Sequence, residues 1–439
     1  MSHVYSFIAP SSAPATLFDV SISSDPSASS SSSSSSLTSI AVNHASHAPI
    51  GSVKRICKTS DGSIVLADDA YRLSVLSARP EEVDWEPEVI TQHEVSHRKG
   101  DLWSGLIPVS SGFISSLSSG KITYNGLDSA LAGESSNSHI VDGHVLALAS
   151  PRPSSNTFAL AGKEIDVSIR DVERTFASSS RSQNGEGGSS KKRKTELVEG
   201  EIWRAKNMPN NSLQLRPPVH HLCLAYLPLP SGSESGDSTH LVSGTKAGTL
   251  RRYDTRQRKP VSEHKLAREG GIGAIAPVNE HEVFFADRGN FVGCADLRTG
   301  KLMYSYPGLT SSAHHLVYLN GSPVHPTSDD NSYDEVGHTL REGLLASISP
   351  DATLRLLSTV PPREPASKGN PQGGKAKVVG VAGGVGLGSF IYTGFKYRPV
   401  VQEEGNEESE RAGGSEEGDE DVWNDMDTAD SDEDEDEEG

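Results

Sequence analysis

Cysteine is scarce in this chain, with Cys57, Cys223 and Cys294 the only three in 439 residues. They are too few and too far apart for a disulfide framework or a cysteine-built zinc site, and they suit a reducing compartment. Long apolar runs are missing too, because no stretch approaches the ~18 residues of a membrane-spanning helix. The first residues lack a basic segment followed by an apolar one, so neither membrane attachment nor secretion is expected. Hydrophobic residues make up 34% and aromatic residues 6%, and no segment sustains the 3.6-residue period of an amphipathic helix. A fold of long packed helices is excluded.

What the chain has instead is 42 Gly and 25 Pro, the composition of short strands joined by many turns. The stretch Gly248-Thr249-Leu250-Arg251-Arg252-Tyr253-Asp254 combines a glycine turn, a short alternating strand and a bulky residue followed by Asp. That is the blade signature of a WD40-type β-propeller, with Tyr253-Asp254 where Trp-Asp is usual. Asp171 and Ala295-Asp296 echo it. Strand-like segments recur over 50–77, 101–127, 144–174, 220–266, 273–306 and 315–360. A seventh unit combines 377–397 with strands from the beginning of the chain, at 4–9, 17–22 and 39–43. The expected fold is all-β, a seven-bladed propeller over 1–400 closed by the N-terminal strands. Closure removes the exposed sheet edges that an open array would carry.

Interruptions at about 24–36, 177–195, 231–238, 323–337 and 361–374 are rich in Ser, Gly and Pro. They cannot bury enough apolar surface to offset their ordering entropy, so they are expected as disordered loops. Residues 401–439 form an acidic tail with the same expectation. The formal net charge of the chain is −19. From 402 to 439 there are 20 Asp and Glu against one Arg, which accounts for all of it and leaves 39 acidic and 39 basic residues upstream. The basic clusters at 191–194 and 251–259 are therefore local patches on a neutral body.

Three further clusters carry a family likeness. Gly200-Glu201-Ile202-Trp203-Arg204-Ala205-Lys206-Asn207, with Pro209-Asn210 and 213–219, forms one; Asp254-Thr255-Arg256 leading to Arg258-Lys259-Pro260-Val261 forms the second. The third is Gly162-Lys163-Glu164 with Ile169-Arg170-Asp171. Together they resemble the Nop-seven-associated WD-repeat family of nucleolar ribosome assembly factors. The resemblance implies a seven-bladed scaffold in nuclear precursors of the large (60S) ribosomal subunit. It also implies partners among pre-60S assembly factors, including a Brix-domain protein, contact with rRNA, and release by a nuclear AAA ATPase. Nucleus and nucleolus are the implied location, and a monomer within a larger complex the implied state. Arg170 departs from the family by standing where Trp is usual.

The chemistry of the clusters agrees in kind. Trp203, flanked by Arg204 and Lys206 and followed by Asn207, offers a flat apolar anchor beside cations, suited to a protein pocket or to stacking on RNA. The competing reading packs Trp203 on the propeller wall with its bases solvated. Arg251, Arg252, Arg256, Arg258 and Lys259 fit salt-sensitive phosphate contact without base specificity, although Arg256 also suits a turn-holding pair with Asp254. Tyr253-Asp254-Thr255-Arg256 loosely matches the Trp-Asp-x-Arg pattern of propellers that present substrates to a cullin ubiquitin ligase. Lys191, Lys192, Arg193 and Lys194 have the form of a nuclear import signal. In the tail, Trp423 and Met426 are spaced i, i+3 and could dock as one helical turn; shielding of histones or basic ribosomal proteins is its alternative use.

Enzymatic chemistry finds no footing, and no catalytic, cofactor-binding or metal-binding residue is expected. Gly383-Gly384-Val385-Gly386-Leu387-Gly388 misses the spacing of a dinucleotide loop, and strand-like residues follow where a helix is needed. His221 with Cys223 offers two ligands of zinc's four, and His314-His315 adds no nearby cluster.

Overall fold

A computed structural model of the chain describes residues 2–24, 34–44, 46–79, 85–127, 137–177, 197–210, 212–229, 237–319, 343–361 and 378–398. The expected nuclear signal Lys191, Lys192, Arg193 and Lys194, the tail positions Trp423 and Met426, and most of each expected insertion lie outside the described residues.

The chain forms a seven-bladed propeller, each blade an antiparallel sheet of four strands. It begins with β1 (Ser2–Pro10), β2 (Thr16–Ser24) and β3 (Ser34–Ala41). Blade one follows as β4 (Val53–Lys58), β5 (Ile64–Asp68), β6 (Arg72–Leu76) and β7 (Val89–Glu94), and blade two as β8 (Trp103–Val109), β9 (Gly112–Leu117), β10 (Lys121–Gly126) and β11 (Asn137–Ile140). Blade three holds β12 (His144–Ala149), β13 (Thr157–Lys163), β14 (Ser168–Asp171), the short helix α1 (Val172–Phe176) and β15 (Glu201–Arg204). Blade four is β16 (His221–Tyr226), β17 (His240–Thr245), β18 (Thr249–Asp254) and β19 (Ser262–Lys265). Blade five is β20 (Ile272–Pro277), β21 (Glu282–Asp287), β22 (Val292–Asp296) and β23 (Lys301–Tyr306). Blade six is β24 (His315–Leu319), β25 (Leu344–Ser349), β26 (Thr353–Ser358) and β27 (Val378–Gly383); β28 (Ile391–Arg398) then pairs with β1, so blade seven takes its innermost strand from the late chain and three outer strands from the start.

The strands form where they do because of what covers them. The second strand of a blade is sandwiched between neighbouring blades and reads as an apolar run, such as Ile64-Val65-Leu66-Ala67 or Val283-Phe284-Phe285-Ala286, buried throughout. Outermost strands are less buried, as in Ser262–Lys265, where no residue is fully covered. Each of the seven blade-to-blade interfaces carries one apolar cluster, for example Tyr5, Phe7 and Val20 with Ile348, Leu354 and Leu356 between blades seven and six. The closure is reinforced at Ser389, whose Oγ accepts a bond from the Ile56 N–H (2.8 Å) and donates one to the Ile56 carbonyl (2.9 Å).

Some expected boundaries move. Blades one, two and three extend past 77, 127 and 174 to β7, β11 and β15, and β27, expected in the last blade, completes blade six. Each misplaced strand is an outermost one separated from its blade by a stretch outside the described residues. Ser34, Ser35 and Ser36, expected inside the serine insertion, belong to β3 and pair with Ser23, Ile22 and Ser21. The helix α1 is nucleated by Asp171, whose side chain accepts from the Arg174 N–H at 2.9 Å. The glycine stretch after β27 is a turn: Gly384 (φ +89°) adopts a left-handed conformation, and Gly386 donates to the Pro10 carbonyl at 2.7 Å.

Candidate functional site

Blades three and four meet at the two clusters singled out by sequence. β15 and the two residues after it run alternately out and in: Ile202 is exposed, Trp203 buried, Arg204 half-buried, Ala205 buried and Lys206 exposed. Trp203 is 8% exposed and lies in an apolar cluster with Ala159, Ala161, Val167 and Leu241, its ring edge-on to Tyr253 at 6.1 Å. The small alanines of blade three leave the volume that the two large rings fill. This corrects the expectation of an exposed aromatic anchor: Trp203 holds the blade interface.

Arg251 is corrected in the same way. It is 6% exposed, and its Nε donates to Glu263 Oε1 at 2.8 Å within blade four. Arg252 is half-buried, with an Nε that has no partner among the described residues. Alternation along β18 decides this, since Arg251 and Arg252 point to opposite faces and both faces are covered. Asn207 faces inward as a loop clamp, its Nδ2 donating to the Pro217 carbonyl and its Oδ1 accepting from the Met208 N–H, both at 2.8 Å.

The turn after β18 carries the outward bases. Asp254 accepts the Arg256 N–H at 3.0 Å and holds the guanidinium through Nε and Nη2 (2.7 Å). These bonds keep the Asp254 carboxyl below its ordinary range, while the Arg256 side chain stays 75% exposed. Arg298 and Asp296 repeat the arrangement in blade five, so this pairing is a device of the fold. Arg258 then reaches across the interface. Its Nε donates to the Arg204 carbonyl at 3.0 Å, and its own carbonyl accepts the Lys206 N–H at 2.7 Å. The structure thereby brings Arg204, Lys206, Arg256, Arg258 and Lys259 together on one rim, with Ile202 and Val261 exposed on the same two segments. Among the described residues, Lys206, Arg258 and Lys259 have no carboxylate partner.

A residue quoted only as part of a motif proves central. The Glu201 side chain is 2% exposed and sits between Arg204 (Nε, 3.1 Å) and Arg170 (Nη2, 3.4 Å). Arg170 is buried and also contacts His139 Nε2 at 3.1 Å; burial first, then the Arg170 charge, lowers the pKa of His139. A guanidinium thus occupies the position where Trp is usual, compensated by a carboxylate from the neighbouring strand. No local signal announces this pairing.

The other candidate groups resolve separately. His221 is buried, with Nδ1 3.0 Å from Ser243 Oγ, and burial raises the Cys223 thiol to about 12. Among the described residues, no group of three or more His, Cys, Asp or Glu side chains could hold a metal ion. The innermost strands line a central channel with a cavity of about 420 Å³, into which Arg55, Cys57, His314, His315 and Ser389 contribute.

No protein-family model matches the chain, and no curated protein matches it in sequence. Solved structures similar in fold include the WD40 domain of Neurospora crassa Pan2, at 11% identity over 74% of this chain and 78% of that one, with a TM-score of 0.44. A chain in a crystal structure of the mitotic checkpoint complex shares 11% identity over 70% of this chain and 73% of its own, also at 0.44.

Proposed function

We propose that this propeller is a non-catalytic scaffold in nuclear assembly of the large ribosomal subunit. Its blade three–four rim contacts rRNA and neighbouring assembly factors, a Brix-domain protein among them, and an AAA ATPase supplies the energy for release. The observation that carries this reading is the pair of bonds between Arg258 and the Arg204–Lys206 segment. They make one continuous surface from the two clusters that resemble the Nop-seven-associated family. That surface turns Lys206, Arg258 and Lys259, which have no carboxylate partner among the described residues, outward on the same two segments as exposed Ile202 and Val261, a combination suited to phosphate and protein contact at once. The cullin-receptor alternative has no observation of its own, because the Asp-x-Arg turn recurs at Asp296 and Arg298.

The test is co-sedimentation with precursor ribosomal particles. Lys206→Ala, Arg258→Ala and Lys259→Ala combined should release the chain from particles at moderate salt, whereas Lys301→Ala on blade five should not. Unchanged sedimentation of the triple variant rejects this rim as the contact.

A further inference from the structure

Blade seven differs from the other six in its outermost strand. β3 reads Ser-Ser-Ser-Leu-Thr-Ser-Ile-Ala, without charge or proline, and every residue except the half-buried Ile40 is exposed. Its pairing with β2 runs over all eight residues without a bulge. The outer strands β11, β15 and β19 are four residues long, and the register of β7, β15, β23 and β27 with their neighbours is interrupted by a bulge. Shortness, bulges and charge are how sheet edges are kept from pairing with other chains. β3 itself has none of these guards; its outward edge is closed only beyond Ala41, where the Asn43 N–H donates to the Pro87 carbonyl and its carbonyl accepts from the Val89 N–H.

The ladder fixes which groups it presents. In antiparallel pairs, alternate residues exchange both backbone bonds with the partner strand. The Val42 N–H donates to the Ala15 carbonyl at 2.9 Å in continuation of the β2–β3 register, and Ser11 donates to Thr16 on the other side of β2. The even-numbered residues of β3 therefore bond to β2. The N–H and C=O groups of Ser35, Leu37, Ser39 and Ala41 point away from the sheet, and no bond reaches them among the described residues.

We propose that β3 pairs antiparallel with β3 of a second copy of this chain, about a two-fold axis through Thr38. In that register the outward residues meet one another, Ser35 opposite the second Ala41 and Leu37 opposite the second Ser39, so each unpaired group finds a partner. Thr38 faces Thr38 across the axis, a favourable cross-strand pair. A two-fold brings like charges together, and this strand carries none; Asp19, opposite Thr38 on β2, is already paired with Arg79. The strand is thus complementary to itself, while it offers nothing to select a charged segment. Each copy also brings the −19 of residues 402–439. Pairing works against that repulsion and is strengthened by salt, opposite in sign to phosphate contact at the rim.

The test is sedimentation equilibrium of the full chain over a concentration series, with Thr38→Glu and Thr38→Lys beside the parent. The parent should associate to a dimer, more strongly as salt rises. Each single variant should weaken association about fivefold or more by placing like charges at the axis, with only a small change in melting temperature because Thr38 is exposed and Asp19 opposite it is paired with Arg79. An equimolar mixture of the two should regain the dimer. A parent that stays monomeric throughout, a dimer indifferent to both substitutions, or a mixture that fails to recover overturns the proposal.

Discussion

The Nε of Arg258 donates to the carbonyl oxygen of Arg204 across the interface between blades four and three, at 3.0 Å. Because the acceptor is backbone, the bond fixes the Arg258 side chain without spending a carboxylate on it. The rim keeps its positive charge while gaining order. A side chain also reaches a backbone carbonyl of the neighbouring blade where the Tyr306 hydroxyl donates to Ser358 at 2.7 Å; at the blade three–four rim the reaching group is a cation.

Arg258→Ala should therefore separate function from stability. The bond is exposed and the reciprocal Lys206-to-Arg258 backbone bond survives, so the loss of stability should stay within about 1 kcal/mol. On the proposed function, binding to a precursor particle or to rRNA should fall, and the slope of log affinity against log salt should shrink by roughly 0.7–0.9 for each phosphate that is no longer neutralised. Denaturant melts and binding across a salt series read the two effects independently. An unaltered slope would place Arg258 away from any phosphate.

Trp203 should behave in the opposite way. It is buried in a cluster with Tyr253 and with alanine and aliphatic residues of blades three and four, so Trp203→Ala should cost about 3–5 kcal/mol through the cavity it leaves. Its Nε1 has no partner among the described residues, so Trp203→Phe removes no hydrogen bond and should be much milder. Equal losses for Ala and Phe in thermal or denaturant unfolding would contradict a packing role.

Glu201→Gln removes the charge that compensates Arg170, which is 3% exposed. Breaking one side of a buried pair costs about 3–5 kcal/mol, because the remaining charge is stranded. Arg204→Ala should cost far less, since Arg204 is partly exposed and Glu201 keeps Arg170. Replacing both Arg170 and Glu201 by Leu and Met should recover much of the loss of Glu201→Gln. A double variant as unstable as the single one would mean that the pair contributes through packing alone.

The blades were legible because their inner strands obey a local rule: apolar runs between turn residues, ended by Tyr253-Asp254 or Ala295-Asp296. The outermost strands β7, β11, β15 and β27 were not, since each lies beyond an intervening segment that hides its membership. At the rim the residue types were visible but their directions were not. Alternation says that Ile202 and Trp203 face oppositely, and only the neighbouring blade decides which is covered. Glu201 pairs with Arg170 across 31 residues, and Ser389 locks Ile56 across 333; such contacts leave no trace in spacing.

Acid should weaken the fold in two stages, the first set by buried imidazoles. Burial, with Arg251 nearby, pushes His221 down to about 3, and burial with Arg55 pushes His315 down to about 4. In the unfolded chain both titrate near 6.5. The unfolded state therefore binds more protons between those values, so the stability tied to neutral His221 and His315 is complete above about pH 6.5 and declines as pH falls toward about 4. At pH 5 each contributes a loss of about 2 kcal/mol. The lowered carboxyls of Asp254 and Asp296 act in a separate, lower window, because their contribution persists above the ordinary carboxylate range and is lost only below it. Denaturant midpoints measured from pH 7.5 to 4.5 should drop for the parent chain and drop less in a His221→Gln, His315→Gln variant, in which burial still lowers His93, His139, His220 and His314, even though that variant starts lower. A parallel drop in both proteins would show that these two side chains do not govern the first stage.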